Sequence, residues 1–176
     1  MKSTYKNKLS FNNKLYRLIW NIVNFLIFRI LITNQLNSIR IIVLRIFGAK
    51  IGKNSGVYPC VKIWSPKNLI IGENSWIGPK CNVYNVGNVI IGNNVTVSQN
   101  THLCGATHDY KSENFDLIYG DIKILNNTWI AADSFIFMNV SIGPNSIVGA
   151  RSVVFKTVPQ NSIAGGNPAK ILKEKI

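Results

Sequence analysis

The first 72 residues contain no aspartate and no glutamate; the first acid is Glu73. Twelve Lys and Arg fall in that stretch, against eight basic and seven acidic residues in 73–176, so 12 of the net +13 charges lie in the N-terminal part. A charge this lopsided suits attraction to an anionic surface or ligand, although a solvated basic face reads the same way. Histidine is scarce, with only His102 and His108. The cysteines Cys60, Cys81 and Cys104 are odd in number and lack metal-ligand spacing, as expected of reduced thiols in a cytosolic protein with no bound metal. Long apolar runs are also missing. The fifteen residues from Leu18 to Ile32 include Arg29 and fall short of the roughly 20 that span a bilayer, so no transmembrane helix is expected. No small-residue cleavage site follows them, which argues against a secretory signal.

What the chain does have is a ladder. Ile51, Val57, Ile63, then Ile71, Ile77, Val83, then Ile91, Val97, Leu103 recur every six residues. The series resumes at Ile124, Ile130, Ile136, then Ile142, Val148, Val154. Groups are separated by eight residues, except for 21 between Leu103 and Ile124 and six between Ile136 and Ile142. So short a period points to a mainly β solenoid in which each six is one short strand and three sixes close one triangular coil. Five coils are expected, stacking to about 24 Å at roughly 4.8 Å per layer. Small residues four positions after the ladder residues (Ser55, Ser75, Val95, Thr128, Ser134, Ser146, Ser152) should also point inward. Gly and Asn between strands accept the tight turns.

The expected organisation is an N-terminal helical segment over 1–50, the solenoid over 51–159 with a loop at 104–123, and a tail or short helix over 160–176. Residues 1–12 read as a loosely held polar arm, and 13–47 as two helical segments broken near Thr33–Asn37. Two readings of the helices stand side by side. They cap the open end of the solenoid, or they lie on anionic lipid through Arg17, Arg29, Arg40 and Arg45. Both can hold together.

Several stretches carry a family resemblance: Leu103-Cys104-Gly105-Ala106-Thr107-His108-Asp109-Tyr110, Thr128-Trp129-Ile130-Ala131-Ala132, and Ala164-Gly165-Gly166-Asn167-Pro168-Ala169-Lys170. The chain resembles hexapeptide-repeat O-acyltransferases, above all acetyltransferases of colanic acid and other exopolysaccharide biosynthesis, and more distantly maltose and galactoside acetyltransferases. The resemblance implies a left-handed parallel β-helix, a homotrimer with sites between subunits, acetyl-CoA as donor and a sugar hydroxyl as acceptor. It implies no nucleic-acid partner.

Transfer to a hydroxyl needs a base, and a histidine near its ordinary pKa of about 6.5 suits that task. His108 sits in the single long insertion and matches the family's base. His102 precedes the inward Leu103 and should face outward in a structural role. Asp109, Glu113, Asp116, Asp121 or a backbone carbonyl could hold the tautomer of His108. By resemblance, Asn85 lies near the acceptor. Ala132 and Ala150 line the donor arm, Phe155 and Lys156 touch the donor, and Lys170 and Lys173 lie near its phosphates. Trp129 packs against the donor or a neighbouring subunit. Two histidine positions cannot supply the three ligands of a γ-type carbonic anhydrase. An amino-sugar or serine acetyltransferase and a non-catalytic membrane- or polyanion-binding solenoid stay as alternatives. The expected location is cytoplasmic, with peripheral contact at the inner face of the membrane through residues 1–50.

Overall fold

The computed structural model describes residues 10–30 and 33–174. From Lys50 the chain winds as a parallel solenoid with three flat faces. The first face stacks Lys50–Ile51, Leu69–Ile71, Val89–Ile91, Ile122–Ile124 and Ser141–Ile142. The second stacks Gly56–Val57, Trp76–Ile77, Thr96–Val97, Trp129–Ile130, Ile147–Val148 and Ser162–Gly166. The third stacks Lys62–Ile63, Asn82–Tyr84, His102–Cys104, Phe135–Phe137 and Val153–Val154.

Register follows the ladder: Ile51 pairs with Ile71, Ile77 with Val97, and Leu103 with Ile136. Every ladder residue is buried, because alternate side chains in a strand point to opposite sides and only one side faces the lumen. The small inward residues tie the coils together. Ser55 Oγ donates to the Gly72 carbonyl (2.6 Å) and accepts from the Ser75 amide (3.0 Å), and Ser75 repeats this with Gly92 and Val95. At the corner between the first and second faces, Asn54, Asn74, Asn94, Asn127, Asn145 and Asn161 all have φ between 53° and 60°. Asparagine tolerates that left-handed conformation better than most residues. From Asn94 onward their side chains run as a chain of amide hydrogen bonds of 3.0–3.1 Å.

The solenoid is longer than the five expected coils. A sixth turn begins with the bridge between Ile142 and Val158 and with Ser162–Gly166 on the second face, where Ala164 fills the lumen position. Of the two expectations for the C-terminus, a tail or a short helix, the helix does not form among the described residues. Gly165-Gly166-Asn167-Pro168 reverses the chain, with Gly166 at φ +100°, and Ala169–Glu174 returns as a strand antiparallel to Ser162–Gly166. The edge left by the last coil takes up its backbone groups, which no helix there could do.

At the other end, helix α1 (Phe11–Asn24) continues as a π-helical turn over Phe25–Ile30, and helix α2 spans Asn37–Ile46. Ser10 caps α1, accepting from the Asn13 amide, so the helix starts two residues earlier than the sequence suggested. The expected polar arm otherwise lies outside the described residues. Trp20, Phe28, Ile41 and Leu44 enter the same core as the ladder. The helices also cover the polar edge of the first coil on all three faces. Arg45 donates to the Ile51 carbonyl (2.7 Å) and Arg40 Nε to Val57 (2.8 Å). Asn37 Oδ1 accepts from the Val57 amide (3.1 Å), and Trp20 Nε1 donates to Ile63 (2.7 Å). Open strand edges would otherwise recruit other chains.

Candidate active site

Between the third and fourth coils the chain leaves the wall as a hairpin. Ala106–His108 pairs antiparallel with Leu117–Tyr119, His108 opposite Leu117. Its neck is fixed by two backbone bonds, Gly105 N–H to Tyr84 O (2.9 Å) and Gly120 N–H to Gly105 O (3.0 Å). A Cβ on Gly105 would lie 2.8 Å from the Tyr84 carbonyl, so the neck needs glycine there. The tip is a compact turn. Asp109 Oδ1 accepts from the Lys111 amide (2.9 Å), and Ser112 Oγ donates to Asp116 Oδ2 (2.7 Å).

This turn brings the Phe115 carbonyl 2.8 Å from His108 Nδ1, with the Phe115 ring stacked on the imidazole at 4.6 Å and 7°. A carbonyl only accepts, so Nδ1 carries the proton and Nε2 is the basic nitrogen. The group that orients His108 is thus a backbone carbonyl. Asp109 and Asp116 bond within the tip, and Asp121 caps the hairpin's exit by accepting from the Asn88 amide (2.8 Å). His102 faces outward on the third face, against the Phe135 ring (5.1 Å) and within 3.3 Å of Asn82 Nδ2. Burial pushes its pKa down, which favours the neutral imidazole in a structural position.

Ala132 and Ala150 stack one above the other at the corner between the second and third faces, where the Arg151 amide donates to the Ala132 carbonyl (2.9 Å). They belong to a longer column of small residues. In the preceding register position of that corner, Gly78, Ser98, Ala131, Gly149 and Gly165 succeed one another from coil to coil. Neither Gly78 nor Ser98 was assigned to the site from the sequence, although their spacing from the ladder residues matches that of Ala131. Together with Tyr58 and Trp76 they line a groove of about 430 Å³. Trp129, 48% exposed, donates to Ser98 Oγ (2.9 Å) beside it. Lys170 pairs with Gly165 and so lies near the same corner, while Lys173 pairs with Ile163 further along the second face.

The remaining site residues lie elsewhere. Phe155 is on the outer side of the third face, packed with Phe137 (5.4 Å) and Phe135 (6.4 Å), and Lys156 follows it, exposed, at the next corner. Asn85 is at that next corner too, two coils below the fourth, but it has no exposed surface. Its amide is spent on the Ser65 backbone, donating to the carbonyl (2.6 Å) and accepting from the amide (3.1 Å). Above α1, a cleft of about 330 Å³ runs between the helix and the third face, with Arg17, Arg29 and Lys62 on its sides and Tyr84 at its floor. Among the described residues, no group of three or more His, Cys, Asp or Glu converges as a metal site would require.

No protein-family model matches the chain. By sequence it is 42% identical over 137 residues to an Escherichia coli protein named as the colanic acid biosynthesis acetyltransferase WcaF, covering 78% of this chain and 75% of that one. It is 33% identical over 129 residues to the galactoside O-acetyltransferase of the same organism, covering 72% and 64%. Among solved structures, a hexapeptide-repeat acetyltransferase from Vibrio cholerae superposes with a TM-score of 0.87 at 25% identity, over 95% of this chain and 94% of the other. The parallel solenoid and these relatives together define an acyltransferase, and the chain belongs to the hexapeptide-repeat acetyltransferases. Within them it is similar to the colanic acid type. A coil of opposite hand could not superpose over this length, so the left hand implied by the resemblance is shared.

Proposed function

We propose that the chain transfers the acetyl group of acetyl-CoA to a sugar hydroxyl in the synthesis of an exopolysaccharide, capsule or O-antigen. The observation that supports this best is the Nδ1–H bond of His108 to the Phe115 carbonyl, which leaves Nε2 as the base. Nε2 takes the hydroxyl proton as the oxygen attacks the thioester carbon. The C–S bond then breaks, and the imidazolium returns the proton to the departing thiolate. The stacked Phe115 ring and the tight tip hold the imidazole in place while charge develops.

The small column at Ala132 and Ala150 takes the pantetheine arm, because side chains of that size let it lie against the wall. Lys170 and Lys173 serve the phosphates. Phe155 and Lys156 touch the donor from the third face. Two solved relatives are described as complexes, one with acetyl coenzyme A at 24% identity and one, a galactoside acetyltransferase, with coenzyme A at 25%. Within one chain, however, the hairpin leaves from one corner of the third face and the alanine column occupies the other. A strand of three residues separates them by roughly 10 Å. A homotrimer, in which the hairpin of one copy reaches the column of the next, brings the two together. The acceptor enters by the cleft over Tyr84, whose cations favour a saccharide carrying acid or phosphate groups. Acetyl-CoA is a cytoplasmic metabolite, which assigns the reaction to the cytoplasm. Asn85 acts as a positioning residue for that corner.

Thiol release from acetyl-CoA, measured against a panel of neutral, acidic and phosphate-bearing saccharides, tests the reading. Acceptor-dependent release with formation of an alkali-labile ester is expected. Turnover with amines alone would replace the reading by N-acetyl transfer, and no turnover with any acceptor would overturn it.

A further inference from the structure

The helical cap has two apolar sides, and the core uses only one. Tyr16, Trp20, Val23 and Ile27 face the solenoid at intervals of four, three and four residues. Phe11, Leu15, Leu18 and Ile22 repeat at the same intervals on the opposite side and are 46–76% exposed. Helix α2 does likewise, with Ile41 and Leu44 inward and Ile39, Ile42 and Ile46 outward. Ten of the twenty large apolar side chains that the described residues expose lie between Phe11 and Ile46. A surface helix of a soluble domain needs one apolar stripe, and a second one marks an interaction face.

The charge around this face selects the occupant. Lys14 is exposed on α1, Arg29 is exposed in the π-helical turn that follows it, at the rim of the cleft, and no acid occurs before Glu73. A second copy set against this face would bring cations against cations, at a repulsive cost. An anionic lipid surface accepts both the cations and the apolar stripe. Among the described residues no helix is long and apolar enough to cross a membrane, so the helices lie in the interface rather than span it. We infer that the outer face of α1 and α2 docks this protein on anionic membrane. The inference is independent of the chemistry at His108, and it fits an acceptor presented at a membrane surface.

Flotation of the full chain with phosphatidylcholine–phosphatidylglycerol vesicles, against phosphatidylcholine alone, tests it. Two variants are compared with wild type: Leu15→Gln/Leu18→Gln/Ile22→Gln, and Lys14→Gln/Arg29→Gln. Expected are flotation of wild type with the anionic vesicles only, loss of flotation in the triple variant, and a fall in partitioning on the order of tenfold in the charge variant. Added salt should weaken binding in the same direction. Thermal unfolding and mass by light scattering accompany each variant, and if the triple variant does not fold, the charge variant decides. Absence of wild-type flotation, or equal flotation of every folded variant, would overturn the inference. A change of oligomeric mass in the triple variant would assign the face to a second copy and overturn it equally.

Discussion

At the scale of single residues, the proposed chemistry depends on one imidazole and the carbonyl that orients it. His108 was legible in the sequence because it sits where the ladder breaks and in a motif with family precedent. Phe115 was not, since a backbone carbonyl leaves no signature in residue identity, and only the folded tip brings it to Nδ1. Asn85 shows the opposite case. The family resemblance put it near the acceptor, the fold gives both ends of its amide to Ser65, and an Asn at a corner reads the same in sequence for either role. Cys81, one of the three cysteines expected as reduced thiols, fills a small inward slot of the solenoid. It is fully buried, its Sγ donates to the Ser98 carbonyl (3.0 Å), and burial pushes its pKa up to about 12. Alkylation at pH 8 should therefore be slower in the native protein than in urea by more than about 10³-fold at Cys81. Mass mapping of modified peptides checks this. Comparable rates in the two states would show that the lumen opens to solvent.

At the scale of elements, the ladder was readable because a six-residue strand-and-corner unit permits only a few residues at its inward position. The same rule explains what was missed. The sixth turn begins at Val158, only four residues after Val154, and fills its next ladder position with Ala164, smaller than the Ile and Val of the earlier coils, so the pattern fades although the geometry continues. A short helix was one of two readings of the tail, and Ala169–Glu174 does contain good helix formers. The open edge of the last coil overrides that weak propensity. The hairpin is the element whose placement matters most. In Gly105→Ala the new Cβ would stand 2.8 Å from the Tyr84 carbonyl, and that backbone cannot move aside without shifting the wall. The neck must tilt instead. The expected cost is about 1–3 kcal/mol of stability, with a fall in kcat of about 10²-fold from misplacement of His108. The KM for acetyl-CoA should stay near its wild-type value. A variant with normal kcat would show that the neck does not set the position of the base.

At the scale of the whole molecule, the chain divides its labour by end and by corner. The basic, apolar cap closes the first coil, the hairpin carries His108 at one corner, and the small-residue column runs along another. That division makes a shared site testable. Inactive His108→Ala chains mixed with Ala150→Trp chains, whose donor track is blocked, should regain about a quarter of wild-type activity on reassembly at equal ratio, because each site then draws on two copies. No recovery would mean that one chain builds its own site. The most direct test of the central claim is acetyl transfer by His108→Ala, with acetyl-CoA affinity measured in parallel. Transfer should fall about 10²–10⁴-fold while donor affinity is unchanged. Transfer within about twofold of wild type would contradict the assignment of His108 as the base.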